Sequence, residues 1–120
     1  MKSPVSAGAL PGLALALALA GCAQDPAPTA QLSLTDQAIA QARGAGAEGG
    51  EALVLAERKQ AEAQAAAADG RYREARLLTE QAELDARLAE AQVLDDKARA
   101  QIDELQRAIE RLRRQLGGTP

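Results

Sequence analysis

The sequence predicts an all-α protein: a short helix, then an antiparallel helical hairpin whose second helix is very long and ends in a coiled-coil-like segment. Three observations carry this reading. Of 120 residues 30 are Ala, with one Tyr and no Phe or Trp, so bulky side chains for an ordinary globular core are missing. Within residues 22–120, Ala, Glu, Lys, Leu and Arg fill 59 of 99 positions, the balance of long helices and coiled coils. Gly and Pro gather in short punctuations, and the span from Arg71 to Leu116 contains neither.

The same composition narrows the chemistry. With no His and a single Cys, Cys22, the chain offers no thiol–imidazole pair, no Ser-His-Asp set and no His/Cys metal site. Neighbouring carboxylates such as Asp95 with Asp96, or Asp103 with Glu104, point about 100° apart on a helix and do not converge on one substrate. The expectation is a protein that is not an enzyme and holds no metal and no dissociable cofactor. A formal net charge of −3 and the lack of stacking aromatics argue against nucleic acid as a partner.

Residues 1–21 read as a secretory leader. Lys2 supplies the positive charge, and Leu13 to Ala20 alternate Leu and Ala in an apolar run too short to span a bilayer. The run ends in Leu19-Ala20-Gly21-Cys22, which resembles the lipobox of bacterial lipoproteins. That resemblance implies recognition of Leu19, Ala20 and Gly21 by signal peptidase II, with covalent diacylglycerol and an N-acyl chain on Cys22. Several acyl chains hold a protein to a membrane far more firmly than one. Ala23 follows the Cys where Asp would signal retention, so by the same resemblance the expected location is the outer membrane, facing the periplasm.

Residues 22–33 read as a flexible tether, because Pro26 and Pro28 block a helix and little is apolar. The first helix is expected over about 34–43, with Ser33 or Thr35 as its N-cap and Ala38, Ile39 and Ala42 on its apolar face. The glycines from Gly44 to Gly50 end it. The second helix runs from Glu51 to about Ala68, burying Leu53, Leu55, Ala56, Ala63 and Ala67. Asp69 and Gly70 form the hairpin turn, over which Tyr72 is expected to pack. The third helix starts near Arg71 or Tyr72 and continues to Gly117, with 117–120 as a disordered end. Its acids precede its bases by four residues at Glu83 and Arg87, Asp95 and Arg99, Asp103 and Arg107, and Glu110 and Arg114, the favourable order.

The hairpin arms differ greatly in length. Folding about Gly70 places Glu51 opposite about Ala89, where the second helix is used up. Beyond that point Ala98, Ile102, Leu105, Ile109, Leu112 and Leu116 recur in steps of four and three. In heptad terms Ile102 and Ile109 fall at a and Leu105 and Leu112 at d, a combination that favours parallel dimers. Residues 96–116 therefore read as a coiled-coil-like tail that needs a partner, a homodimer mate or another helical protein. Gln81 and Asp95 occupy earlier a positions, so the seam is expected to stop short of the hairpin.

The stretch Ala38-Ile39, Ala42, Gly44-Ala45, Glu51, Ala56, Lys59, Ala63, Asp69-Gly70-Arg71-Tyr72, Ala75-Arg76, Glu80-Gln81-Ala82, Asp85-Ala86, Leu88-Ala89 and Ala91 resembles the bacterial lipoprotein family called domain of unknown function 4398. The resemblance spans about residues 34–95, the helical hairpin domain. It implies a secreted, lipidated helical protein, and some members carry a peptidoglycan-binding domain after the helices.

Two functional readings follow. The first is a non-enzymatic, lipid-anchored envelope lipoprotein acting as a periplasmic helical scaffold or interaction module. The alternative is a lipoprotein that binds peptidoglycan or another envelope polymer and helps tether the outer membrane to the wall. The sequence closes on Gly117-Gly118-Thr119-Pro120 and not on a C-terminal Lys, so such binding would be non-covalent, through Arg107, Arg111, Arg113 and Arg114.

Overall fold

A computed structural model describes residues 25–118, so the leader, the lipobox, Cys22 and the last two residues lie outside the described part. Three helices follow one another: α1 from Thr29–Ala45, α2 from Glu51–Ala68 and α3 from Tyr72–Gly117. The helical hairpin with a very long second arm is present, and α1 joins it to make three helices side by side.

Helix α1 begins at Thr29 and not near 34, so the segment 29–33 assigned to the tether is helical. A proline lacks only a donor that the first helical turn cannot use, so Pro28 bounds the helix without preventing it. The Leu32 amide donates to the Pro28 carbonyl at 2.9 Å, and no side chain caps this end. The expected caps are elsewhere: Ser33 is exposed in the second turn and Thr35 is buried inside the bundle. At the other end Gly46 sits at φ +97, and the amides of Gly46 and Ala47 close onto the carbonyls of Arg43 and Ala42.

Helix α2 has the predicted bounds. Its exit is a Schellman-type turn in which Gly70, at φ +75, lets the Arg71 amide donate to the Ala66 carbonyl at 2.9 Å. No atom lies within 4 Å of where a Gly70 side chain would begin, and Tyr72, half-buried, lines a shallow depression beside Gly70 and Arg71. Backbone hydrogen bonds and the glycine conformation define the bend.

Polar contacts give the direction of each helix. Arg76, near the start of α3, lies against the start of α1, donating to the Pro26 carbonyl at 3.2 Å and pairing with Asp25 at 3.6 Å. Lys97 Nζ, about one turn past Val93, donates to the Ala45 carbonyl at the end of α1 at 2.7 Å. Thus α1 and α3 run parallel, and α2 runs against both. Ala38, Ile39, Ala42, Ala47, Ala52, Leu53, Ala56, Ala86 and Ala89 form the buried cluster, with Val93 partly buried against it. Alanine has almost no side-chain entropy to lose, and its small size lets helix backbones approach closely. On α2 the buried residues are Ala52, Leu53, Ala56, Gln60, Ala63 and Ala66, while Leu55 and Ala67 are only half-buried. The buried face is therefore rotated slightly from the predicted one.

Candidate functional site

Helix α3 buries Ala75, Thr79, Ala82, Ala86 and Ala89, a stripe of small residues in steps of four and three. This stripe, and not the leucine stripe, faces α1 and α2. The leucines stand on the other side: Leu77 is 53% exposed, Leu84 67% and Leu88 50%. Ala98, Ile102, Leu105, Ile109, Leu112 and Leu116, the residues expected to form a partner seam, are also exposed along the projecting part of α3. The seam is expected to stop short of the hairpin because Gln81 and Asp95 occupy its preceding a positions; both residues are exposed here, in line with Leu77, Leu84 and Leu88.

The rod and the chain's entry point are at opposite ends. Residues 25 and 26 lie beside Arg76 at the turn end, with Asp69 and Gly70. From Ala98 to Gly117 helix α3 continues past the bundle for about 30 Å at 1.5 Å per residue. Glu83 with Arg87, and Asp95 with Arg99 at 2.8 Å, form the expected ion pairs. Arg107 instead donates to the Asp103 carbonyl at 3.1 Å. Arg111, Arg113 and Arg114 are exposed near the end of α3.

At the turn end, Arg71 binds both Glu74 and Asp69. The hydrogen bond to Glu74, then that to Asp69, raise the Arg71 pKa above its ordinary value. Asp25, Gly70, Arg71, Tyr72, Arg73, Glu74 and Leu77 line a shallow depression here. Within it Arg71 and Glu74 bind one another and Asp25 pairs with Arg76, while Tyr72 and Leu77 supply the sizeable apolar surface.

Sequence reasoning missed a buried polar cluster. The Thr79 hydroxyl lies 2.9 Å from Thr35 Oγ1 and donates to Gln60 Oε1 at 2.9 Å. The Gln60 amide donates to the Leu32 carbonyl and to Asp36 Oδ1, both at 2.9 Å. The Thr35 hydroxyl has the Gln31 carbonyl at 3.0 Å and the Thr79 carbonyl at 3.1 Å as further acceptors. A signal existed: Gln60 lies between Ala56 and Ala63, and Thr79 between Ala75 and Ala82, on the buried four-three spacing. Every buried side-chain polar atom among the described residues has a partner, so the cluster ties the three helices together and leaves nothing free to act on a ligand. Lys59 and Asp85 add a part-buried ion pair between α2 and α3 at 2.7 Å.

Among the described residues no group of three or more His, Cys, Asp or Glu could hold a metal ion. No described helix is long and apolar enough to cross a membrane.

These features define a class of protein: a lopsided three-helix bundle with an alanine-lined core and a projecting amphipathic helix. A crystal structure of a DUF4398 family protein (PA2901) from Pseudomonas aeruginosa PAO1 matches it with a TM-score of 0.75 and 51% sequence identity, over 79% of this chain and 100% of that one. The chain therefore belongs to the DUF4398 family. No family model and no curated protein matches the sequence.

Proposed function

We propose that this protein is a lipid-anchored envelope lipoprotein, held in the outer membrane by acyl chains on Cys22, whose helical bundle serves as a non-enzymatic interaction module in the periplasm. One observation carries the reading: the N-terminal end of the described chain lies at one end of α3, and an exposed apolar rod leaves from the other. A molecule anchored before Asp25 would present that rod away from the membrane. The Leu19-Ala20-Gly21-Cys22 motif supplies the anchor, and exposed leucines and isoleucines supply a surface for a helical partner. The test is metabolic labelling with a palmitate analogue together with membrane fractionation. The wild-type chain should take up label and sediment with outer membranes. Cys22→Ala should lose both; an unlabelled wild-type chain would sink the proposal.

The three exposed arginines near the rod's tip favour a second reading, non-covalent binding of an anionic envelope polymer such as peptidoglycan. Purified sacculi should then retain the protein at low salt and release it at high salt. No retention at low salt ends this reading.

A further inference from the structure

Each buried position of α3 has an exposed counterpart two residues later. Ala75, Thr79, Ala82, Ala86 and Ala89 face the bundle, while Leu77, Gln81, Leu84, Leu88 and Ala91 are exposed. Two residues correspond to about 200° of helix rotation, so the second set lies almost opposite the first. It continues without a break in step through Asp95, Ala98, Ile102, Leu105, Ile109 and Leu112, all exposed. Helix α3 therefore carries two heptad stripes: a small-residue one satisfied within the chain, and a leucine–isoleucine one running past the bundle and along the rod.

We infer that the leucine–isoleucine stripe from Leu77 to Leu112 is a parallel homodimer seam extending along the bundle as well as the rod. The occupant is a second copy of α3 for three reasons. First, α1 and α2 pack on the opposite, small-residue face, which leaves the stripe exposed, with α2 reaching only its edge where Glu51, Ala52 and Leu55 lie beside Asp85 and Leu88. Second, Ile102 and Ile109 at a with Leu105 and Leu112 at d form the parallel two-stranded pattern, and the register covers more than five heptads. Third, the flanking positions suit an identical partner. In a parallel pair Arg87 meets Gln92, Leu94 meets Arg99, Gln101 meets Gln106, and Ala108 meets Arg113, so none of these sets like charges together. The one like-charged pair of the five is Glu80 with Asp85, and there the Asp85 carboxylate is already neutralised by Lys59 of its own chain at 2.7 Å.

Gln81 and Asp95 are the polar members of the stripe and face their twins in this arrangement. Each Asp95 is held by Arg99 of its own chain at 2.8 Å. Parallel pairing also brings both chain entry points to one end. That agrees with anchoring in one membrane, and here alone the inference draws on the lipoprotein reading.

Disulfide trapping in membranes tests it, using the full chain with single cysteines in a Cys22→Ser and in a Cys22-retaining background. Leu84→Cys, beside the bundle, and Leu105→Cys, on the rod, both occupy d; Arg107→Cys points away from the seam. Mild oxidation should link Leu84→Cys to itself and Leu105→Cys to itself, each at least tenfold more than Arg107→Cys. Linking at Leu105→Cys alone would overturn a seam along the bundle. Linking only in mixtures of Leu84→Cys with Ile109→Cys would show antiparallel pairing and overturn the orientation. No linking at either d position overturns the seam altogether. A dimer formed by the parental chain through Cys22 alone would count against acylation of that thiol, and the Cys22→Ser arm would still read the seam.

Discussion

The hydroxyls of Thr35 and Thr79 meet at 2.9 Å in the middle of the bundle, joining α1 to α3, and Gln60 Oε1 accepts from Thr79 at the same distance. Thr79→Val keeps the shape and removes the hydroxyl, so the Gln60 carbonyl loses its donor while fully enclosed. A buried acceptor left without a partner costs about 1–3 kcal/mol. Denaturant unfolding should show a lower midpoint with an unchanged slope. Adding Gln60→Leu should not double the loss, because a double substitution removes the orphaned group along with its partner. A fully additive pair would mean that the three side chains do not act as one network.

Ala82 and Ala86 have no exposed surface, and the neighbouring helices touch at these positions. Ala82→Leu or Ala86→Leu must push α3 away from α1 and α2, and overpacking of this kind costs about 1–3 kcal/mol or more. Leu84→Ala, between them in sequence and on the outer face, should change the unfolding of the isolated chain by less than about 0.5 kcal/mol. The comparison runs against the usual rule that leucine is the core residue and alanine the filler. Thermal melts of the three variants at low protein concentration check it. A larger loss for Leu84→Ala than for Ala86→Leu would contradict the assignment of faces.

The faces were the hardest part to read from the sequence. Glycine clusters and Asp69-Gly70 marked α2 and the start of α3 well, since backbone conformation at a turn is a local property that the residue itself sets. Pro28 misled at α1 because a proline forbids a preceding turn of helix, not a following one, and the added turn from Thr29 is tied to the bundle by Gln31 donating to Glu83 and by the Leu32 carbonyl accepting from Gln60. On α3 two heptad stripes share one helix, and periodicity alone cannot say which of them meets the rest of the chain. The small stripe does so because α1 and α2 are themselves alanine-rich, and small faces pack onto small faces at close range. The exposure of the apolar residues from Ala98 onward was legible because no other segment of the chain was long enough to reach them.

Gly70 holds φ +75 with open space on its side-chain face. Gly70→Ala should therefore destabilise through backbone strain alone, by about 1 kcal/mol, the ordinary penalty for a left-handed L-residue. Gly70→Asn should recover part of that loss, since Asn tolerates this conformation better. Both variants should keep the wild-type helix content by circular dichroism and differ only in melting temperature. A loss of helix content in Gly70→Ala would show that the turn is held by a contact and not by the glycine conformation.

Asp95 separates the two orientations that a self-paired α3 could take. In a parallel pair it faces its twin, two carboxylates in one layer of the seam, whereas in an antiparallel pair matched along the whole stripe it faces Ala98 of the other chain. Asp95→Asn removes the repulsion and provides a side chain that both donates and accepts, the polar group best suited to an a layer of a parallel dimer. Its cost within one chain is small, because the Asp95–Arg99 pair is exposed at both partners and exposed pairs contribute up to about 1 kcal/mol. Sedimentation of the full chain in detergent should show the Asn variant dimerising about tenfold more tightly than wild type, a gain of about 1.4 kcal/mol, comparable to relieving one unfavourable buried contact. Unchanged association would place Asp95 away from its twin and favour the antiparallel arrangement, and weaker association would mean that the Arg99-held carboxylate itself supports pairing.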